Sequence, residues 1–301
     1  MIWQALMLQL GYNASLVALG AAALGLAAGA VGAFLFLHKR ALVSDAVSHA
    51  TLPGLVGVFL ILTLLGGDGR DVLALMAGSA LSAWLGLRWV RWLTTRTRLP
   101  EDAAIGAALS VLFGFGIVLM TVVQALPAGR QAGLESYLLG STAGMLFSEA
   151  VIIAFGGLAV LAGVFLFRRP LTLTAFDPVF AATQGVSQRK SDAMLMGLVL
   201  AITVVGLKIV GLILIVALLV IPPTTARFWT DSVSRLVVLS GGLGAVAAYV
   251  GAALSASAPN LPTGPIIVLV GVALFTLSLV AAPRRGALAR AIRHRRAARG
   301  L

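Results

Sequence analysis

The chain has 301 residues, of which 60% are hydrophobic and only 11% are charged, and its mean hydropathy is +1.04. Soluble domains are about half apolar, so this composition excludes a soluble fold and indicates an integral membrane protein. Cysteine is absent, which excludes disulfides and thiolate metal ligands. The net charge of +12 comes from short basic clusters between apolar runs, a pattern typical of cytoplasmic loops rather than of a nucleic-acid surface.

The apolar runs predict an all-α polytopic helical bundle of about eight to nine transmembrane helices, in a single membrane domain over residues 1–301. No cleaved signal peptide is expected. The nine predicted spans cover residues 15–37, 41–66, 71–93, 104–126, 148–168, 191–207, 209–222, 234–255 and 264–282. With the basic clusters inside, nine spans put the N-terminus outside and the basic tail 283–301 in the cytoplasm.

Two regions of this topology are less regular than the others. The spans on either side of Lys208 are short against the roughly 20 residues that cross a bilayer, so an eight-span arrangement stays open. Residues 133–145 are apolar but also short, and we expect a re-entrant or interfacial segment there. Lys208 itself either repels cations at the mouth of a path or snorkels to the outer interface, and its position favours snorkelling.

The second predicted span carries an aspartate and a histidine at helical spacing, Asp45 and His49. Residues i and i+4 share one face of a helix, so the pair can hold one object between them. A carboxylate with an imidazole suits divalent ions such as Mn²⁺, Fe²⁺ or Zn²⁺. Pro53 has no N–H to give to the carbonyl of His49, which predicts a free oxygen and a bend beside the pair. Further polarity comes from Ser44, Ser48 and Thr51.

An alternative is that Asp45 only anchors its helix. It would then pair with Lys39 or Arg40 near the cytoplasmic end of the span, and His49 would donate a hydrogen bond to another helix. The spacing alone leaves both interpretations open. Other polar residues are expected at surfaces or helix ends: Glu101 and Asp102 at a helix N-terminus, and His38 and His294 on the surface.

A further motif, "FDPVFAATQG", lies between two basic clusters and is therefore placed inside. Asp177 before Pro178 predicts the start of a helix, and Gly185 predicts its end. From its residues alone, this segment is either a contact for a partner protein or an amphipathic helix that rests on lipid headgroups.

The motif "HKRALVSDAVSHATLPG" resembles the signature of the permease subunits of bacterial ATP-binding-cassette importers for zinc, manganese and iron(II). Further matches follow in order along the chain: "RLPEDAAIGAALSVLFGFGIVLM", "QAGLESYLLGS", "FDPVFAATQG", "VGLILIVALLVIPPTTAR" and "LPTGPIIVLV". The chain departs from the family at Ser44, where glycine is common, and within Ile221 to Ala226, which reads "IPPTTA" where "IPAATA" is common.

The resemblance implies a fold like that of type II ABC importer permeases. It implies a core of two permeases, as a homodimer or with a sister permease, together with a cytoplasmic ATPase dimer and an extracytoplasmic metal-binding protein. Asp45 and His49 would then face the path of a transported divalent metal, with manganese favoured over zinc and iron(II). The segment of residues 176–186 would be the coupling helix that contacts the ATPase, through Phe176, Asp177, Pro178, Phe180 and Gly185.

The other path or gate candidates are Ser48, Pro53, Lys208, Pro222 and Glu135, the last of which either faces the metal-binding protein or is a solvated charge. No permanent cofactor is expected. The chain lacks a phosphate-binding loop of the GxxxxGK[ST] type, so it should not hydrolyse ATP, and no enzyme is predicted. The expected location is the bacterial inner membrane. The competing function is a stand-alone metal carrier driven by protons, which would need more buried acids than the sequence contains.

Overall fold

The computed structural model describes residues 12–67, 69, 71–125, 147–257, 261–283, 286, 287 and 289. Its helices are α1 Tyr12–Leu37, α2 Ala41–Leu64, α3 Val72–Arg96, α4 Glu101–Gln124, α5 Phe147–Phe176, α6 Pro178–Thr183, α7 Gln188–Ala226, α8 Val233–Ala256 and α9 Thr263–Ala281. Within this part of the chain no strand is present. Helices satisfy their own backbone hydrogen bonds, which is what a lipid environment requires. The predicted all-helical fold class is confirmed.

Eight helices in the described residues are long and apolar enough to cross a membrane, and Leu214–Ala226 is a shorter apolar helix. These segments correspond to the nine predicted spans. The tail beyond residue 289 and the segment 126–146, which includes Glu135 and the expected re-entrant run, lie outside the described residues. The sidedness of the two termini remains a prediction.

Helix α7 contains a reversal of the chain. Gly211 has φ 71° and ψ 169°, a non-helical conformation in the region that favours glycine. The beginning of α7 reaches the end of α1 through an ion pair between Asp192 and Arg40, and its last residue, Ala226, packs with Ala33 of α1. Both ends of α7 therefore lie at the same end of the bundle, and the segments Gln188–Leu207 and Leu214–Ala226 run in opposite directions.

The core is built around α1, which is packed against α5, α7 and α8. A methyl group on Gly25 would overlap the carbonyl of Gly244, and one on Gly29 would overlap that of Ser240. The hydroxyl of Ser240 donates to the carbonyl of Gly29 at 2.6 Å. Apolar side chains gain little by leaving lipid for protein, so such close backbone approach supplies the packing that holds membrane helices together.

A second group of helices positions the site. Helix α2 packs against α3 and α4, and Gly54 and Gly78 meet at the α2–α3 contact. The hydroxyl of Ser82 in α3 donates to the carbonyl of Ala50 in α2 at 2.6 Å. Leu52 of α2 fills the space beside Gly116 of α4. These contacts fix the rotation of α2, and they leave the side that carries Asp45 and His49 partly open.

Candidate metal-ion site

Asp45 and His49 lie one turn apart on the same face of α2, as their spacing predicts. His49 Nε2 lies 3.3 Å from Asp45 Oδ1. The side chain of Asp45 is 40% exposed and that of His49 is 23% exposed, so the pair is neither buried in the core nor fully solvated. Two side chains that could bind a divalent ion are thus together on a surface that a solute or a second chain can reach.

The imidazole of His49 is held by a second contact. Its ring meets Phe113 of α4 edge to face, with the centroids 4.6 Å apart. The Nδ1 atom is buried and has no hydrogen-bond partner in the described part of the chain. Phe113 and Asp45 together fix the plane of the ring, so that Nε2 points at the carboxylate. An ion bound between Nε2 and Oδ1 would take the place of this contact.

The hydroxyl groups of α2 do not join the pair. Ser44 donates to Ala41 O at 2.6 Å, and Thr51 donates to the carbonyl of Ser48. Ser48 is fully buried, and its hydroxyl has no partner among the described residues. Its candidate role in the path remains a prediction, although the side chain is enclosed rather than open like those of Asp45 and His49.

Pro53 lies inside α2 and does not end it, since the helix continues to Leu64. The proline is buried, and the carbonyl of Ala50, one turn earlier, accepts the hydroxyl of Ser82. The other proline candidate, Pro222, is buried in the second segment of α7 and faces Gly244 of α8. The side chain of Lys208 lies outside the described residues.

Arg40 is the residue that sequence reasoning missed. Its Nε lies 3.2 Å from Glu101 Oε1, and its Nη1 lies 3.3 Å from Asp192 Oδ2. One guanidinium therefore links the N-terminal ends of α2, α4 and α7. The alternative in which Arg40 pairs with Asp45 is wrong, because Arg40 turns to the other two acids. Glu101 is at a helix N-terminus as predicted, but it also makes this ion pair.

His38 was expected on the surface, and this is wrong. The ring is half-buried, and Nε2 lies 3.0 Å from the carbonyl oxygen of Leu171 in α5. Burial lowers the pKa of His38 below its usual 6.5, and this outweighs the opposing effects of the Leu171 hydrogen bond and the nearby Asp192 carboxylate. The surface prediction was based on the basic neighbours of His38 in the sequence, which give no information about its contact with Leu171 in a distant helix. His294 lies outside the described residues.

The predicted helix after the fifth span is present as α6. Asp177 caps it by accepting from the backbone N–H of Phe180 at 2.8 Å, and Gly185 follows its end with φ 75°. Phe176 and Phe180 are 65% and 49% exposed. Two aromatic side chains are thus presented at the basic end of the bundle, by which we mean the end that carries Arg40, Arg189 and Arg227. The coupling role of α6 remains a proposal.

The described residues of a single chain do not complete a metal site. No group of three or more His, Cys, Asp or Glu side chains comes together among the described residues. Asp45 and His49 would supply two ligands, whereas a transition-metal ion takes at least four. Water or a second chain could supply further ligands.

Residues 12–282 match the model of the ABC 3 transport family. The chain belongs to this family. The manganese transport system membrane protein MntC of Bacillus subtilis (strain 168) is 36% identical over 97% of this chain, which spans 66% of that protein. The zinc transport system membrane protein TroC of Treponema pallidum (strain Nichols) is 39% identical over 95% of this chain and 94% of its own length.

A solved structure, PsaBC from Streptococcus pneumoniae in complex with Fab, has the same fold. The TM-score is 0.81 at 28% identity, and the match covers 98% of this chain and 100% of that chain. The resemblance drawn from the sequence motifs is confirmed, and the chain is a multi-pass membrane protein of this family.

Proposed function

We propose that this chain is the membrane permease of an ATP-driven importer of divalent transition-metal ions, with manganese as the favoured ion and zinc or iron(II) as alternatives. The observation that carries the proposal is the Asp45–His49 pair, which is aligned at 3.3 Å on an open face of α2. The relatives named for manganese and zinc transport support this choice of cargo.

The chemistry of the pair suits this cargo. An ion that enters a low-dielectric path loses hydration, and only ligands placed there offset that loss. A carboxylate oxygen and an imidazole nitrogen serve Mn²⁺, Fe²⁺ and Zn²⁺, and they disfavour soft ions such as Cu⁺. A second permease related by a two-fold axis would bring another aspartate and histidine to the same place, which gives four protein ligands.

The energy would come from ATP hydrolysis by a separate ATPase dimer that contacts α6. The exposed aromatic rings of Phe176 and Phe180 and the rigid Asp177 cap give this short helix the character of a docking element. The ion would be delivered by an extracytoplasmic metal-binding protein. A proton-driven carrier is the competing function, and ATP dependence of uptake in reconstituted vesicles separates the two.

The main test is uptake of radiolabelled Mn²⁺ by cells that carry Asp45→Asn or His49→Ala. Each variant should nearly abolish uptake at normal membrane abundance, because it removes one of the two ligands. Asp102→Asn is the matched control, since it removes an exposed carboxylate from the start of α4. Near-normal uptake by both site variants would contradict the metal site while leaving the family unchanged.

A second test addresses coupling. Phe180→Asp adds a charge to the exposed aromatic face of α6 without touching the Asp177 cap, and it should abolish ATPase association while metal binding by the permease persists. Thr183→Asp, at the end of the same helix, controls for the added charge. Normal ATPase association and stimulated hydrolysis with Phe180→Asp would show that α6 is not the coupling element.

A further inference from the structure

A cleft with a volume of about 750 Å³ lies between α3 and the first segment of α7. Its walls run from Trp84 to Thr95 on α3 and from Gln188 to Leu200 on α7, and Arg40 closes it at the basic end. Asp45 and His49 do not line it. The cleft is therefore not part of the candidate metal-ion site.

The lining changes character along the cleft. At the basic end it is formed by Arg91, Thr95 and Arg189, and at the other end by Trp84, Met196 and Leu200. A helix rises 1.5 Å per residue, so the cleft follows α3 for about 16 Å from its polar mouth to its apolar interior. This is the polarity profile of a lipid headgroup followed by the first part of an acyl chain.

The charges at the mouth favour an anion. The two acids that line the cleft, Glu101 and Asp192, are both paired with Arg40. Arg88 lies over the ring of Trp84 at 5.0 Å. Arg91 and Arg189 are exposed and form no ion pair with any carboxylate in the described ranges. Arg91 and Arg189 thus face the mouth without a counter-charge, while the third arginine without a carboxylate partner among the described residues of the lining, Arg88, is stacked on Trp84 where the apolar part of the lining begins.

We propose that this cleft binds one anionic phospholipid of the inner leaflet. Arg91 and Arg189 hold the phosphate, and one acyl chain lies along Trp84, Met196 and Leu200. Basic pockets between membrane helices on the cytoplasmic side are suited to anionic headgroups. The apolar interior distinguishes this site from one for free phosphate or a nucleotide, and the basic mouth repels metal cations. Because α7 begins shortly after α6, the bound headgroup lies near the proposed coupling helix.

The test uses the purified full-length permease and native mass spectrometry. Phosphatidylglycerol and phosphatidylcholine with identical acyl chains are added, and the retained lipid is counted. The wild type should retain phosphatidylglycerol preferentially. Arg91→Gln with Arg189→Gln should retain it roughly thirty-fold less, because each basic group near an anionic surface contributes a factor of roughly five. Arg96→Gln with Arg98→Gln removes the same charge outside the cleft and should behave as the wild type.

Three outcomes would overturn the proposal. Equal loss in both double variants would mean that general charge, and not the cleft, attracts the lipid. Displacement of phosphatidylglycerol by inorganic phosphate would assign the site to a free anion. Displacement by the partner ATPase would make the cleft a protein-binding surface.

A separate variant tests whether an acyl chain enters the apolar end of the cleft. Leu200→Trp fills the interior without changing the charge, and it should reduce retention of phosphatidylglycerol. Leu85→Trp, at an exposed position of α3 that does not line the cleft, is the matched control. Unchanged retention with Leu200→Trp would show that no acyl chain enters, and the proposal would fail.

Discussion

Helices α1 and α2 follow each other in the chain, but one is enclosed by its neighbours and the other keeps a polar side open. Within the most apolar 18-residue stretch of each helix, 72% of the residues of α1 and 56% of those of α2 are buried. Helix α1 contains no aspartate, glutamate, lysine, arginine or histidine, whereas α2 carries Asp45 and His49. Ionisable groups are costly inside a membrane and are typical of helices that line a path or cavity, and the more fully packed helix has none.

The two helices also differ in what limits a substitution. In α1 the limit is volume, because Gly25, Gly29 and Gly32 each leave room only for the backbone of another helix. In α2 the limit at the proposed site is chemistry, because Asp45 and His49 are partly exposed ionisable groups. Loss of function should therefore have two separable causes, a failure to assemble the bundle and a failure to bind the ion.

The largest expected effect tests this separation directly. Gly25→Val should abolish Mn²⁺ uptake because the added side chain overlaps the backbone of α8 at Gly244, and overpacking of this kind costs roughly 3 kcal/mol or more. Asp45→Asn should also abolish uptake, but with normal amounts of folded protein. Membrane abundance and fluorescence-detected size-exclusion profiles distinguish the two variants.

Gly242→Ala is the control for this pair. It lies on the same helix as Gly244, yet a methyl group there would meet nothing within 4 Å. Its abundance and uptake should match the wild type, since alanine favours a helix over glycine. If Gly25→Val assembled normally, or if Gly242→Ala failed to assemble, close packing would not be what distinguishes α1 from α2.

Much of this architecture could be predicted from the sequence, because hydropathy marks each long helix and i, i+4 spacing placed Asp45 beside His49. The special role of Gly25 could not, since Gly242 looks the same in the sequence and only the packing separates them. The contacts of Arg40 with Glu101 and Asp192, and that of His38 with Leu171, join residues far apart in the chain. A local pattern carries no information about such partners.

A smaller effect concerns how α2 is held. Arg40→Gln removes the charge that links α2 to α4 and α7, and it leaves Asp192 partly buried without its partner. We expect a loss of roughly 1 kcal/mol, because partly exposed ion pairs contribute little individually. For a chain of 301 residues that lowers the Tm by roughly 1 to 2 °C. Differential scanning fluorimetry in detergent measures the shift.

The matched control for Arg40→Gln is Arg96→Gln, which removes an exposed charge from the end of α3. Its Tm should stay at the wild-type value, and uptake per folded molecule should be retained by both variants. An Arg40→Gln variant that kept normal stability but lost uptake would place Arg40 in the ion path. Its role would then be to contact the ion and not to hold α2 in position.

The smallest expected effect is the pH dependence contributed by His38, at the junction between α1 and α2. Burial lowers the pKa of this imidazole below 6.5, so that on acidification the unfolded chain takes up the proton before the folded chain does. The stabilisation is complete above about pH 6.5 and is lost as the pH falls through that value towards the folded pKa.

His38→Gln keeps an amide that can donate to the carbonyl of Leu171 but cannot titrate. Between about pH 7.5 and about pH 5.5 the Tm of the wild type should therefore fall by more than that of His38→Gln, and the other histidines cancel because both proteins contain them. An equal fall in Tm for the two proteins would mean that His38 has the same pKa in the folded and unfolded chains. The junction between α1 and α2 would then be open to water and not covered by α5.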